Sequence, residues 1–510
     1  MGWLMALISV LVSYPAYSQL RLAEYWQSGM VIQRDQPIHI WGWASPGALI
    51  WLRLGEEPHQ TRAKADSSWL VTFPARSASV KPETLTVQSG TQRIRLSDIW
   101  LGDVWLCAGQ SNMAFPLASD QFARQMLPQT PNPMLRLLNR LPALTTNNRS
   151  YQPSDLRHLQ PGQFYQPAHW QMADSSSARL FSAVGYYTGN RLQHEVGIPI
   201  GLIHVAVGGS PAEAWLPTPD ATRSPVLASI FNGNWLINPA LEVWCIQRAH
   251  QNLDSLFQVG YPVPADSLGY NHPFKPGFLY EAALQPALQL GLKGILWYQG
   301  ESNSLTLARV QQHELIFPEL LLAWRKAFQQ PDLPVYVCQL SSIGTERGYQ
   351  STYWPLFRDG QRRMADSLTH VAMVVTSDVG HPWDVHPTNK KTVGERLARE
   401  ILVKTYGRSW LLFPAISRIV RRNHHWIITF SQTGNKLRTV DNQDVRGFSV
   451  GNAEGPNQNV SVQLRGNKIR LSCRQVGDLV YLYYGWQPFS QGNLVNAVDL
   501  PLSTFRIRLP

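Results

Sequence analysis

An α/β fold built on a parallel sheet is what this sequence predicts, and three observations predict it. Five short apolar runs, at residues 104–108, 200–207, 294–298, 335–340 and 371–377, are spaced through the middle of the chain. Stretches with helical apolar spacing follow them, at 178–195, 279–290, 305–328, 356–367 and about 390–406. Polar residues able to do chemistry collect just after the runs rather than inside them. Strands that are apolar throughout are buried on both faces, and their alternation with helices makes the sheet parallel with a helical layer on each side. Five strands fit a flavodoxin-like sheet, in which ligands bind at the carboxyl ends of the strands.

A chain of 510 residues is too long for one core, and its pattern divides it. Residues 1–18 read as a signal peptide. An apolar core from Trp3 to Val12 precedes Ala16-Tyr17-Ser18, a small-x-small cleavage pattern, with no Lys or Arg ahead of the core. The mature chain is then expected to start near Gln19 and to act in the periplasm or outside the cell. No later run approaches the apolar length of a membrane span. Residues 19–98 read as an antiparallel β domain, with strands at 31–33, 38–41 and 85–87 and turn signals such as Ser45-Pro46-Gly47. Residues 99–408 hold the parallel sheet. Within them the Pro- and Gln-rich stretch 115–175 reads as an irregular insertion near the site. Residues 409–510 return to β alternation at 426–430, 460–464, 469–472 and 479–484.

Composition narrows the function. Hydrophobic content of 44% with 15% charged residues describes a folded chain. The net charge of +11 is spread thinly, without the concentrated basic face that nucleic-acid binding needs, and an acidic sugar or an anionic surface would tolerate it equally well. Nineteen Trp and 18 Tyr fill cores and sheet faces, and some indoles are expected to line a sugar-binding cleft. Four cysteines show no metal-ligand spacing. Cys107 and Cys338 lie in apolar runs as buried thiols would. A single disulfide is open, and the sequence does not pair it.

Four motifs fall at strand ends. Gly109-Gln110-Ser111-Asn112 follows the first strand. A serine there sits where the next helix begins, with outward backbone N–H groups able to hold negative charge. Ser111 is the candidate nucleophile, although a serine on such a turn is also an ordinary helix cap. Gly208-Gly209-Ser210 ends the second strand, and paired glycines let an N–H approach a ligand closely. Gln299-Gly300-Glu301 ends the third; the Gln299 amide is a candidate oxyanion donor, and Glu301 a candidate orienter or acceptor. Residues 378–387 follow the fifth strand. There His386 is the candidate general base, Asp384 the candidate carboxylate behind it, and His381 a rival.

In this order, G-Q-S-N, G-G-x-P-x-E-A-W, W-Y-Q-G-E and D-x-H-P, the motifs resemble the sialate O-acetylesterase family of SGNH (GDSL-type) hydrolases. Met30-Val31-Ile32-Gln33-Arg34, Gly42-Trp43-Ala44 and Gly394-Glu395-Arg396-Leu397-Ala398 extend the resemblance over nearly the whole chain. The resemblance implies a three-layer SGNH hydrolase domain. It implies a serine esterase with Ser111 as nucleophile, His386 as base, and an oxyanion hole of the Ser111 N–H, the Gly209 N–H and the Gln299 side chain. It implies no metal or organic cofactor. Two departures stand out. The usual SGNH aspartate lies three residues before the histidine, where this chain has Trp383, and Asp384 lies only two before. Tyr280-Glu281-Ala282 replaces an expected Y-N-G. Asp384 is therefore the first choice for the acid, with Asp378, Glu301 or a Ser–His dyad left open and Asn112 a possible support. The expected substrate is an acetylated carbohydrate, first of all O-acetylated sialic acid. Acetylated xylan, or a carbohydrate-binding protein without turnover, is the alternative.

Overall fold

The structure is a computed structural model that describes residues 19–218, 224–422, 425–472 and 481–510. The expected signal peptide and Cys473 lie outside the described residues. Cys107, Cys245 and Cys338 are buried free thiols.

One strand organises the chain. β1 (Gln92–Gly109) is 18 residues long. Its first half alternates exposed and half-buried residues and pairs antiparallel with Ser79–Ser89. Its second half is buried without interruption and is the centre of the main sheet. The expected boundary between residues 98 and 99 thus falls inside a continuous strand. The sequence reading broke there because the pattern changes from period two to solid apolar.

Among the described residues the main sheet holds β2 (Asn132–Asn139), β3 (Trp170–Ala173), β4 (Ile200–His204), β5 (Gly294–Tyr298), β6 (Val335–Cys338) and β7 (Val371–Val374) beside β1. The order is β3-β2-β4-β1-β5-β6-β7. All neighbours are parallel except β3, which runs antiparallel at the edge. The five predicted runs all lie in this sheet. The sheet has one parallel strand more than predicted, because β2 and β3 come from the stretch read as irregular. Arg136 interrupts the apolar run of β2, and its guanidinium is satisfied by Asp98, in the first half of β1, at 2.7 Å.

Side chains of β1 alternate between two cores. Val104, Leu106 and Ala108 join Ile203, Ile295 and Trp297 on one face, covered by Ile316, Leu320 and Trp324 of helix Leu307–Ala327. Trp105 and Cys107 join Leu202, Leu296 and Tyr298 on the other, covered by helices Ala183–Val196 and Lys390–Lys404. The predicted helix 279–290 is instead a π turn, Tyr280–Leu284, followed by the tight turn Gln285–Ala287. Pro286 has no N–H to continue an α-helical ladder. A long helix was missed, Val243–Val259, which forms a wall of the site described below.

Antiparallel strands flank this sheet. Before it, Ile38–Trp43 pairs with Arg21–Leu22 and Ser68–Phe73, and Leu49–Leu54 with Glu57–Arg62 and Ser79–Ser89. After it come two four-stranded antiparallel sheets. Arg358, fully buried on helix Trp354–Ser367, ties the second of these to the main domain by donating to the carbonyls of Gly485, Gln487 and Pro488 and to Thr504 Oγ1. Burial lowers its pKa to about 9.

Candidate active site

β1 delivers Ser111 through Gly109, whose φ is +127°. A Cβ at this position would lie 2.2 Å from the Tyr298 carbonyl of β5, so only glycine lets the two strands leave the sheet side by side. Ser111 then opens the short helix Ser111–Ala114. Gln110 Oε1 accepts the N–H groups of Gly300 and Ser302 at 3.3 and 3.4 Å, which ties the serine turn to the loop after β5.

His386 comes from the loop after β7. Its Nε2 lies 2.8 Å from Ser111 Oγ, across 275 residues of chain. Asp384 is placed differently from a directly bonded partner. Its Oδ1 accepts the His386 backbone N–H at 2.8 Å but stands 3.8 Å from Nδ1, and the carboxylate is 55% exposed. Burial and the charge of Lys390 lower the His386 pKa below 6.5, against the opposing pull of Asp384. Asp378 does not meet the histidine: both its oxygens are held by Arg396 at 2.7 Å. His381 accepts the Trp383 N–H, and its ring faces that indole rather than Ser111.

The loop after β4 brings Gly209 to the serine. Its φ is +72°, and a Cβ there would lie 2.8 Å from both the Trp244 and the Phe274 rings. Among the described residues the N–H groups of Ser111 and Gly209 meet no acceptor. Gln299 bonds to the same loop. It is fully buried, and its Nε2 donates to Asn303 Oδ1 at 2.6 Å and Ser210 O at 3.3 Å. One of its donor contacts thus supports the Gly208–Ser210 turn and the other holds Asn303. Asn303 in turn donates to Glu213, which is buried in an ion pair with Arg309. The glutamate of G-G-x-P-x-E-A-W is thus a brace between the loops after β4 and β5.

A family model described as carbohydrate esterase, sialic acid-specific acetylesterase, matches residues 270–403. The sialate O-acetylesterase of Homo sapiens is 26% identical over 435 residues, covering 77% of this chain and 72% of that protein. That of Rattus norvegicus is 25% identical over 471 residues, covering 84% and 82%. The crystal structure of a carbohydrate acetylesterase from Xanthomonas citri superposes with a TM-score of 0.77 at 28% identity, covering 96% of this chain and 99% of that one. The chain is similar to sialate O-acetylesterases over most of its length. It is an esterase.

In this esterase, Ser111 and His386 open onto a cleft of about 720 Å³. Its far wall is the helix missed in the sequence, Val243–Val259. Glu242 caps that helix by accepting the Trp244 N–H, and Cys245, Ala249, Leu253 and Leu256 bury one side at helical spacing. This is a pattern the sequence did carry. Trp244 stacks on Phe274 with centroids 5.6 Å apart. Arg248 lies over Trp244 at 5.2 Å and donates to Thr146 O at 2.8 Å and to Gln251 at 2.9 Å. Thr146 Oγ1 donates to Gly208 O, so Arg248 is linked through one residue to the turn facing Ser111. Arg248 has no carboxylate partner among the described residues.

Proposed function

We propose that this esterase removes O-acetyl groups from a carbohydrate by acyl transfer through Ser111, and that the sugar carries a carboxylate, as O-acetylated sialic acid does. The 2.8 Å contact of His386 Nε2 with Ser111 Oγ, at the mouth of the cleft, carries this reading. Nε2 takes the hydroxyl proton as Oγ attacks the acetyl carbonyl. The N–H groups of Ser111 and Gly209 receive the oxyanion. The ester C–O bond breaks, the sugar oxygen takes the proton from His386, and acetyl-enzyme remains. Water then attacks with His386 as base, acetate leaves, and Ser111 recovers its proton. Asp384 supports the imidazole as a nearby charge. Residues 99–408 form the hydrolase unit, between β-rich regions 19–98 and 409–510, and the pattern in residues 1–18 directs the chain to the periplasm or beyond.

Two experiments test this. Diethyl p-nitrophenyl phosphate is expected to label one residue per chain, and peptide mass spectrometry to locate the phosphoryl group on Ser111. Labelling elsewhere, or none, defeats the assignment. The acidic sugar is read from Arg248, a half-buried guanidinium whose remaining N–H groups suit a carboxylate. Arg248→Gln is expected to lower kcat/KM on an O-acetylated sialoside about 10- to 100-fold more than on acetylated xylo-oligosaccharides. Equal losses on both would favour a neutral plant cell-wall sugar.

A further inference from the structure

Beneath the Ser111–His386 pair lies a buried charged network that the reaction as described does not use. Lys390 opens helix Lys390–Lys404, four residues beyond His386, and is fully buried. Its ammonium donates to Asn112 Oδ1 and lies 4.8 Å from the centroid of the Phe115 ring. Asn112, the residue after the nucleophile, is also fully buried. Its Nδ2 donates to Glu301 Oε1 and, at 3.0 Å, to the carbonyl of Val385, the residue before His386. Glu301 is buried too, and its Oε2 has no hydrogen-bond partner among the described residues.

These partners leave Asn112 one workable orientation. An ammonium only donates and an ionised carboxylate only accepts. The amide must turn its oxygen to Lys390 and its nitrogen to Glu301, and the second N–H then reaches Val385 O. The loop bearing the imidazole is thereby clamped to the turn bearing the hydroxyl. Asp384, exposed and 3.8 Å from Nδ1, supplies no such tether. We propose that Lys390 is a positioning residue for the hydrolysis: it locks the Asn112 amide, which holds the His386 loop against Ser111. The inference rests on the Ser111–His386 reading above. A filler or helix anchor at this place would need no charge, since methionine has the same length without the cost of burying an ammonium.

The charges around the network give the test its direction. Burial lowers the Lys390 pKa to about 7, opposed by Glu301, Cys338, Asp120 and Asp384. Burial raises that of Glu301, against the Asn112 hydrogen bond and Lys390. Around His386, Lys390 disfavours the imidazolium and Asp384 favours it. Removing Lys390 must therefore raise the His386 pKa, and removing the Asp384 charge must lower it.

The test is the pH profile of kcat/KM for p-nitrophenyl acetate, with thermal unfolding of each variant. Lys390→Met is expected to lower kcat about 10- to 100-fold with KM changed less than about twofold. Its acid limb is expected to move up by about half a unit or more. Asp384→Asn is expected to lose less than about tenfold, with its limb moving down; a directly bonded triad carboxylate would cost about 10⁴. Lys390→Arg, which keeps the charge, should leave the limb near that of the wild type. If Lys390→Met does not fold, Lys390→Met/Glu301→Gln removes both charges at constant shape and must show the same upward shift. Wild-type kcat with an unmoved limb in the folded variant overturns the inference, as does an Asp384→Asn loss larger than that of Lys390→Met. Ser111→Ala separates the two levels. If it is inactive while Lys390→Met is normal, only this inference fails; if it is fully active, the Ser111–His386 reading fails as well.

Discussion

Ser111→Ala is expected to lose at least about 10⁴-fold in kcat on p-nitrophenyl acetate and on any acetylated sugar the enzyme accepts. His386→Gln should fall as far, and the double variant no further, because a nucleophile without its base and a base without its nucleophile are equally idle. The 2.8 Å contact between Nε2 and Oγ requires this non-additivity. Steady-state rates corrected for spontaneous hydrolysis would measure it. A Ser111→Ala rate within about threefold of the wild type would end the serine mechanism.

The same pair sets the pH dependence. The working base is neutral imidazole, so kcat/KM falls as pH drops through the His386 pKa. Burial and Lys390 push that value below 6.5. The acid limb of the wild-type profile is therefore expected at lower pH than an ordinary imidazole would give.

Much of this site was legible before any coordinates, for a definite reason. A parallel sheet carries the carboxyl ends of all its strands to one edge. Ser111, Gly209, Glu301 and His386, each just past an apolar run, were thus bound to approach one another whatever the loop details. What the sequence hid is direction. Gln299 sits at a strand end like the others, yet its amide turns inward because Asn303, four residues on, offers an acceptor there. Asp384 lies next to the histidine in sequence, but its carboxylate bonds the backbone N–H and stays out of reach of the ring. Lys390 looks like any lysine at a solvated helix start. Only the packing of its helix against the sheet buries it and gives it Asn112 as a partner. Strand β2 was hidden by Arg136, whose charge is satisfied by Asp98 of β1, distant in sequence. Periodicity finds elements whose environment is uniform along their length, and these residues each depend on a partner that is distant in sequence or turned away from the expected one.

Gly209→Ala is expected to cost about 100- to 1000-fold in kcat, the usual loss of one oxyanion donor, while leaving a folded protein. The glycine has φ +72°, a conformation that costs alanine roughly 1 kcal/mol or more. Steric conflict adds to this, because the new methyl would stand 2.8 Å from the Trp244 and Phe274 rings. Those rings stack on each other, and Trp244 lines the cleft from the first turn of helix Val243–Val259, so it cannot withdraw without disturbing that helix. The turn yields instead, and its N–H swings away from the point where charge develops. Because that charge exists only in the transition state, kcat should fall and KM should change little. A loss in KM alone would show that Gly209 shapes the substrate cleft without meeting the oxyanion. An unchanged kcat/KM would show that the Ser111 N–H and some other donor hold the charge between them.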